Sequence, residues 1–335
     1  MALKMFQALL PYFGGKRKLC PIIFKAISER LPREKWSEAT FVDAFMGSGA
    51  VSLYAKAQGL RVVANDCAER SFIAGQALIE NNQKLLTADD LHRLFLPQGG
   101  NNHFIETEYA PDVFPCHHAK FLDTAFANAT MPLLKLLLLK YIFAIRPYSK
   151  FSSPNAFNRP MAEGRFDEIK STYAKHVSDN FKPPLTILKN EAEKVNAGVF
   201  SNGHKNKVSK SDVFDFVEAV EGDILYLDPP YAGTLAYENE YAVIDRILGG
   251  AVLTKSLFSD DGGVEVLDKL LAKCQKFPLW VISFGNAGGK NELGHLVEIV
   301  SRYRKCEAKE FSYRHCEAMA SEAHKSKSKE WVILG

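Results

Sequence analysis

Phe41-Val42-Asp43-Ala44-Phe45-Met46-Gly47-Ser48-Gly49 is the stretch on which the fold of this chain turns. An apolar run enters a turn with two glycines, and the helical pattern of Ser48 to Gln58 follows, so a strand feeds a helix. A second strand comes next, Arg61-Val62-Val63-Ala64-Asn65, and stops at Asp66. A β-turn-α-β opening of this kind builds a parallel sheet with helices on its faces. Gly47 and Gly49 let the backbone approach a ligand closely, and the helix start behind them offers unpaired N–H groups. Asp66, 19 residues past Gly47 at the tip of the next strand, is placed to accept hydrogen bonds from a ribose diol. The pair fits a dinucleotide enzyme almost as well as an S-adenosylmethionine enzyme. Ser52 stands where GxGxxG has its third glycine, which counts against the dinucleotide.

Strand-like runs return late in the chain, at Ile224–Leu227, Pro278–Phe284, Lys309–Tyr313 and Glu330–Leu334, with a helical stretch over Val264–Lys276. The last two strands follow each other with no crossover helix, so one of them is expected to be antiparallel. From about Phe72 to Lys207 the pattern is helical instead, in Leu133–Ile145, Asp167–His176 and Leu185–Val195. A turn-rich piece from Arg146 to Gly164 interrupts it. Residues 1–71 and 208–335 therefore read as one α/β domain, and 72–207 as an insertion into it.

A chain of 335 residues is too long for one core and fits a domain with a large insertion. Its 47% apolar and 24% charged residues place it among soluble globular proteins. The longest apolar stretch, Leu133–Ile145, contains Lys135 and Lys140 and falls short of the roughly 20 residues of a membrane helix. Met1-Ala2-Leu3-Lys4 has no signal-peptide layout, so a cytoplasmic protein is expected. The six cysteines are scattered. Cys116-His117-His118 and His315-Cys316 lack a CxxC or HxxxH partner, and no metal is expected. The net charge of +3 hides an asymmetry, because Lys140–Lys210 holds 13 basic and 6 acidic residues, or +7, against −4 elsewhere. One basic segment on a slightly acidic body points to a polyanion bound by one part of the molecule, duplex DNA or RNA.

Asp228-Pro229-Pro230-Tyr231, directly after Ile224–Leu227, makes a rigid shelf at a strand tip. The prolines fix φ near about −65° and remove two backbone donors, which leaves acceptors facing outward. An exocyclic amine on a flat base is a poor nucleophile, because its lone pair is delocalised into the ring. Asp228 and the Pro229 carbonyl can each accept one of its N–H groups and free that pair for attack on a methylsulfonium. Hydrogen bonds to a charged acceptor contribute roughly 1.5–3 kcal/mol each. Tyr231 can stack on the base, and a paired base must first be flipped out of the duplex. Near the start, Pro11-Tyr12-Phe13-Gly14-Gly15-Lys16 can lay a ring on an adenine and bring Lys16 to a cofactor carboxylate. In the insertion, Arg146, Tyr148, Lys150, Arg159 and Arg165 interleave basic and aromatic groups suited to phosphates and base edges.

In this order the motifs resemble the Dam-like family of DNA adenine-N6 methyltransferases, with the α-type arrangement. Phe13-Gly14-Gly15-Lys16 is similar to the family's N-terminal cofactor motif and Asp43–Gly49 to its glycine motif. Asn65-Asp66 is similar to its ribose-binding acid, and Asp228–Tyr231 to its catalytic tetrad. Ser211-Asp212-Val213-Phe214 resembles the motif that contacts the cofactor's adenine, and Glu330–Leu334 the last strand. The resemblance implies a Rossmann-like, mixed seven-stranded methyltransferase sheet with an inserted, mainly helical target-recognition domain. S-adenosylmethionine is the implied cofactor, without a metal. Tyr12, Phe13, Gly14, Gly15, Lys16, Asp43, Phe45, Gly47, Gly49, Asp66, Asp212 and Asp228 are then its binding residues, and Asp228, Pro229, Pro230 and Tyr231 the catalytic ones. The expected protein is a bacterial or phage enzyme acting on double-stranded DNA, with a cognate restriction endonuclease as possible partner, as a monomer or weak dimer. Tyr12 stands where the family often has tryptophan. Two rivals stay open: cytosine N4 methylation, against which Asp rather than Ser before Pro-Pro speaks, and an inactive DNA-binding regulator, against which intact Lys16 and Asp228 speak.

Overall fold

A computed structural model describes residues 2–12, 14–97, 103–146, 163, 165, 182–230, 237–249, 256–259, 262–286, 292–312 and 329–335. They divide into two compact units. The first comprises Tyr12–Gly75, Ser201–Ala236 and Thr254–Gly335. It holds one mixed sheet of seven strands: β1 Thr40–Asp43, β2 Arg61–Asn65, β3 Lys207–Ser209, β4 Ile224–Leu227, β5 Leu279–Gly285, β6 Glu307–Ser312 and β7 Lys329–Leu334. Their spatial order is β3-β2-β1-β4-β5-β7-β6. Strands β1 to β5 run parallel. β7 runs antiparallel to both β5 and β6, which is the reversed strand the missing crossover foretold.

Burial on both faces explains the near-continuous apolar runs of the central strands. All four residues of β4 are buried. Alternation with period two splits the core into two layers. On one face Phe41 stacks on Phe24 of helix Cys20–Ser28, with ring centroids 5.5 Å apart, and on Tyr226 at 5.9 Å. On the other, Val42, Leu225, Leu227 and Trp280 pack with helices Val213–Ala219 and Gly263–Lys273. Going from β1 the chain adds β2 and β3 on one side, then returns to place β4 and β5 on the other. The order therefore reverses between β1 and β4, and a crevice at the carboxyl ends of those strands is where an open α/β sheet binds ligands. Helix Cys20–Ser28 and strand β3 are among the elements not expected from the sequence.

The second unit comprises Met1–Pro11, Gln76–Phe200 and Tyr237–Leu253, and its described elements are helical. Proline opens the first turn of both Pro132–Ile145 and Pro184–Asn196, where its missing N–H is not needed. Thr87 and Asp90 form a reciprocal capping box on Ala88–Arg93. Ten of the 14 residues of Pro132–Ile145 are buried, so the greasiest stretch of the chain is a core helix. Its Lys140 donates to the Gln7 carbonyl at 2.8 Å and pairs with Glu191 at 3.4 Å. Among the described residues no helix is long and apolar enough to cross a membrane. The helical stretch expected at Asp167–His176 lies outside the described residues.

Candidate active site

The turn after β1 is built by two residues in the left-handed region, Gly47 at φ 53° and Gly49 at φ 79°. Met46 N–H continues toward β2 by donating to the Asn65 carbonyl at 2.9 Å, and helix Ala50–Ala57 starts behind Gly49. A side chain at Gly47 would also meet the Tyr12 ring, 3.2 Å from the position of a Cβ. Tyr12 therefore lies on the glycine turn. Asp66 fastens the same turn, accepting from Gly47 N–H at 2.7 Å and from Ala68 N–H at 2.9 Å. Each carboxylate oxygen has a second lone pair, so both can still accept from a diol. Burial raises the Asp66 pKa, while the amides of Ala68 and Gly47 and the nearby Arg70 hold it back.

Acids gather at this edge. Asp43, the last residue of β1, is buried and accepts from Ser52 Oγ at 2.6 Å. Its Oδ1 has no hydrogen-bond partner among the described residues. Burial, with smaller contributions from the charges of Asp228 and Asp66, pushes its carboxyl up to about 7. Asp228 follows β4 and is paired through Oδ1 with Lys16 Nζ at 3.0 Å. The ammonium of Lys16 is itself buried, 3.4 Å from the Gly14 carbonyl and 3.7 Å from Glu330 Oε1. In this structure Lys16 meets two of the chain's own carboxylates, Asp228 and Glu330. Two acids on one buried ammonium, with Asp43 and Asp66 at the neighbouring strand tips, make an edge that favours a cationic ligand, and the orphaned Asp43 oxygen is a ready acceptor for an ammonium donor. A sulfonium cofactor with an amino acid moiety fits this donor set.

Beside the acids, Asn65 ties β2 to the next segment: it accepts from Ser211 N–H at 3.1 Å and donates to the Ser211 carbonyl at 3.1 Å. Asp212 then caps helix Val213–Ala219, accepting from Phe214 N–H at 2.8 Å. Phe45 meets Phe258 edge-on at 5.3 Å, and Phe214 stacks on Phe258 at 6.3 Å, which gives an aromatic wall next to the turn.

The structure thus brings Tyr12, Gly14, Gly15, Lys16, Asp43, Phe45, Gly47, Gly49, Asp66, Asp212, Asp228, Pro229 and Pro230 into the sheet unit, around the carboxyl edge. Phe13, Tyr231, Tyr148, Lys150 and Arg159 lie outside the described residues. Arg165 is exposed and paired with Glu163 at 2.6 Å. Arg146, expected on a DNA-facing surface, is instead buried in the helical unit, where its guanidinium donates to the Val113 carbonyl at 3.2 Å. Burial draws its pKa down to about 10. Glu330 and Ser52 were not expected to take part. Ser52 had drawn notice only as the residue that breaks a glycine motif, and an acid heading the apolar run Trp331–Leu334 was the available sign of Glu330. Among the described residues no group of three His, Cys, Asp or Glu could hold a metal ion.

A Rossmann-like mixed sheet with a glycine turn, a strand-tip acid and Asp-Pro-Pro at one edge defines a methyltransferase that uses S-adenosylmethionine. Residues 12–249, well over half of the chain, match the family described as D12 class N6 adenine-specific DNA methyltransferase. Relatives agree. The chain is 27% identical over 297 residues to the Type II methyltransferase M2.HphI of Haemophilus parahaemolyticus, covering 84% of each protein. It is 24% identical over 337 residues to the Type II methyltransferase M.NlaIII of Neisseria lactamica, covering 95% of each. It is 27% identical over 258 residues to the Type II methyltransferase M.FokI of Planomicrobium okeanokoites, covering 70% of this chain and 36% of that one. The chain belongs to the D12 class and is a site-specific adenine-N6 DNA methyltransferase dependent on S-adenosylmethionine. Adenine, not cytosine, is its target base.

Proposed function

We propose that the carboxyl edge of β1 and β4 is where an extrahelical adenine meets the methyl donor, in a bacterial or phage restriction-modification or self-marking enzyme. The observation that carries this reading is the joint position of Asp228 and the Gly47 turn: parallel β1 and β4, in register at Asp43 and Tyr226, end at one edge. S-adenosylmethionine, when bound, supplies the electrophilic methyl group. Asp43 would hold its ammonium, Asp66 its ribose, and Gly47, Gly49 and Tyr12 the backbone contact and ring beside them. Asp212 and Phe45 would bound its adenine. Asp228 and the Pro229 carbonyl would accept the two N–H groups of the target amine, which pulls its lone pair out of conjugation, and Tyr231 would stack on the base. Flipping that base costs a few kcal/mol, which contacts from the protein must offset.

Target recognition is assigned to the region 72–207, with Lys150, Arg159 and Arg165 on DNA and Tyr148 beside them. Arg146, being buried, is left out of the DNA contacts. Two of the relatives covering most of this chain are named Type II methyltransferases, which supports a cognate endonuclease as partner. The test is mass spectrometry of DNA from a host that lacks other adenine methylases and expresses this chain. N6-methyladenine is expected in that DNA. Its absence alongside folded, cofactor-bound protein would defeat the reading.

A further inference from the structure

The family's reaction needs an acceptor carboxylate, and Asp228 occupies that place; what holds Asp228 is the open question. Its partner Lys16 is buried to 4% exposure, and Glu330, with a fully buried side chain, approaches the same ammonium at 3.7 Å. Two carboxylates thus share one cation away from bulk water. Glu330 arrives there because β7 runs backwards. The parallel strands bring their last residues to the carboxyl edge, whereas an antiparallel strand brings its first.

The head of β7 is also clamped. Asn286 N–H donates to the Lys329 carbonyl and Lys329 N–H to Asn286 Oδ1, both at 3.1 Å. Glu330 is paired in register with Gly285 of β5 and Phe311 of β6. Gly285 itself presents no side chain on the face it shares with Glu330. The following residue is fixed as well, Trp331 Nε1 donating to Glu310 at 3.0 Å.

We infer that Glu330 is a positioning residue for methyl transfer: by sharing the Lys16 ammonium with Asp228, it sets where Lys16 stands and keeps Lys16 from neutralising Asp228 outright. An ammonium paired with Asp228 alone would draw closer to it and weaken its acceptance of the target amine. An ammonium anchored on a second, rigid carboxylate holds Asp228 in place while leaving it anionic. This inference rests on the reading of Asp228 as the acceptor for the adenine amine.

The test uses the full chain, unmethylated genomic DNA and radiolabelled S-adenosylmethionine, with wild-type transfer established first. Glu330→Gln should lower the single-turnover methylation rate at least tenfold, while the dissociation constants for S-adenosylmethionine and for duplex DNA change less than threefold. Glu330→Asp should recover part of the rate. Because Glu330 acts through Lys16, adding Glu330→Gln to Lys16→Met should cost no more than a further twofold. Removing one partner of a buried pair can unfold a protein, and the double variant, which removes both charges together, then carries the comparison with Lys16→Met alone. A Glu330→Gln enzyme at the wild-type rate, losses that multiply in the double variant, or a defect confined to cofactor affinity would each overturn the inference. Wild-type protein that transfers no methyl, or Asp228→Ala protein that still does, would instead defeat the reading beneath it.

Discussion

Asp43 is an acid held where water does not reach it. Burial, then the neighbouring charges of Asp228 and Asp66, lift its carboxyl from an ordinary 3.8 to about 7, against the hydrogen bond from Ser52. An acid whose pKa is higher in the folded than in the unfolded chain stabilises the fold most below the unfolded value, and loses that contribution as pH rises through the folded one. The window here is roughly pH 4 to 7. Asp43→Asn removes the slope, so its stability relative to wild type should rise between about pH 5 and pH 8, by ~2.5 kcal/mol. Urea unfolding at the two pH values, without cofactor, reads this; an equal gap at both would mean that Asp43 is ionised throughout. The role proposed for Asp228 is a different one. Asp228→Asn keeps the shape and loses the charge, and should slow methyl transfer by roughly 10- to 150-fold for one charged hydrogen bond lost. Asp228→Ala should abolish transfer with duplex DNA affinity within about threefold of wild type. A variant that lost only DNA binding would show the acceptor to be another group.

At the scale of elements, the turn from β1 into helix Ala50–Ala57 is the tightest joint of the site. An L-residue in the left-handed region costs roughly 1–2 kcal/mol. At Gly47 the new Cβ would also press on Tyr12 at 3.2 Å. Gly47→Ala should therefore lower stability by about 1–2 kcal/mol and weaken cofactor binding about tenfold, as measured by urea unfolding and equilibrium titration. Unchanged cofactor affinity would place the ligand away from this turn. This joint was legible in the sequence because an acid, two glycines and a helix start follow a buried run. The same logic located β2 and β4 to the residue, since each is an apolar run stopped by a polar tip. β3 was not legible: three residues beginning with an exposed lysine and paired only to β2 leave no periodicity to read. Glu330 escaped for a topological reason, because a residue at the head of a strand reaches the carboxyl edge only if that strand is reversed. Arg146 misled because a charged residue after a greasy helix looks like the start of a surface loop. The helix ends at Ile145, and the long side chain of Arg146 turns inward to a carbonyl.

Across the whole molecule, charge is unevenly spread along the chain. The sheet edge gathers Asp43, Asp66, Asp228 and Glu330, which suits a cation, while the segment Lys140–Lys210 carries +7 and suits a polyanion. The two affinities should therefore respond to salt in different ways. Each phosphate neutralised by a lysine or arginine releases counterions and adds about −0.9 to the slope of log affinity against log salt. Four such contacts would weaken duplex binding on the order of 10²-fold between 50 and 200 mM salt. Cofactor affinity should stay nearly constant over that range, because its buried acids are poorly screened. Arg159→Ala and Arg165→Ala together should reduce the DNA slope by up to about 2 and weaken or relax the choice of target, leaving cofactor affinity intact. Anisotropy titrations at several salt concentrations measure the slope, and single-molecule sequencing of host DNA modified by each protein reads the target. If the double variant kept the wild-type slope and the wild-type methylation pattern, the basic segment would be an ordinary solvated surface, and the polyanion would be held by residues elsewhere in the chain.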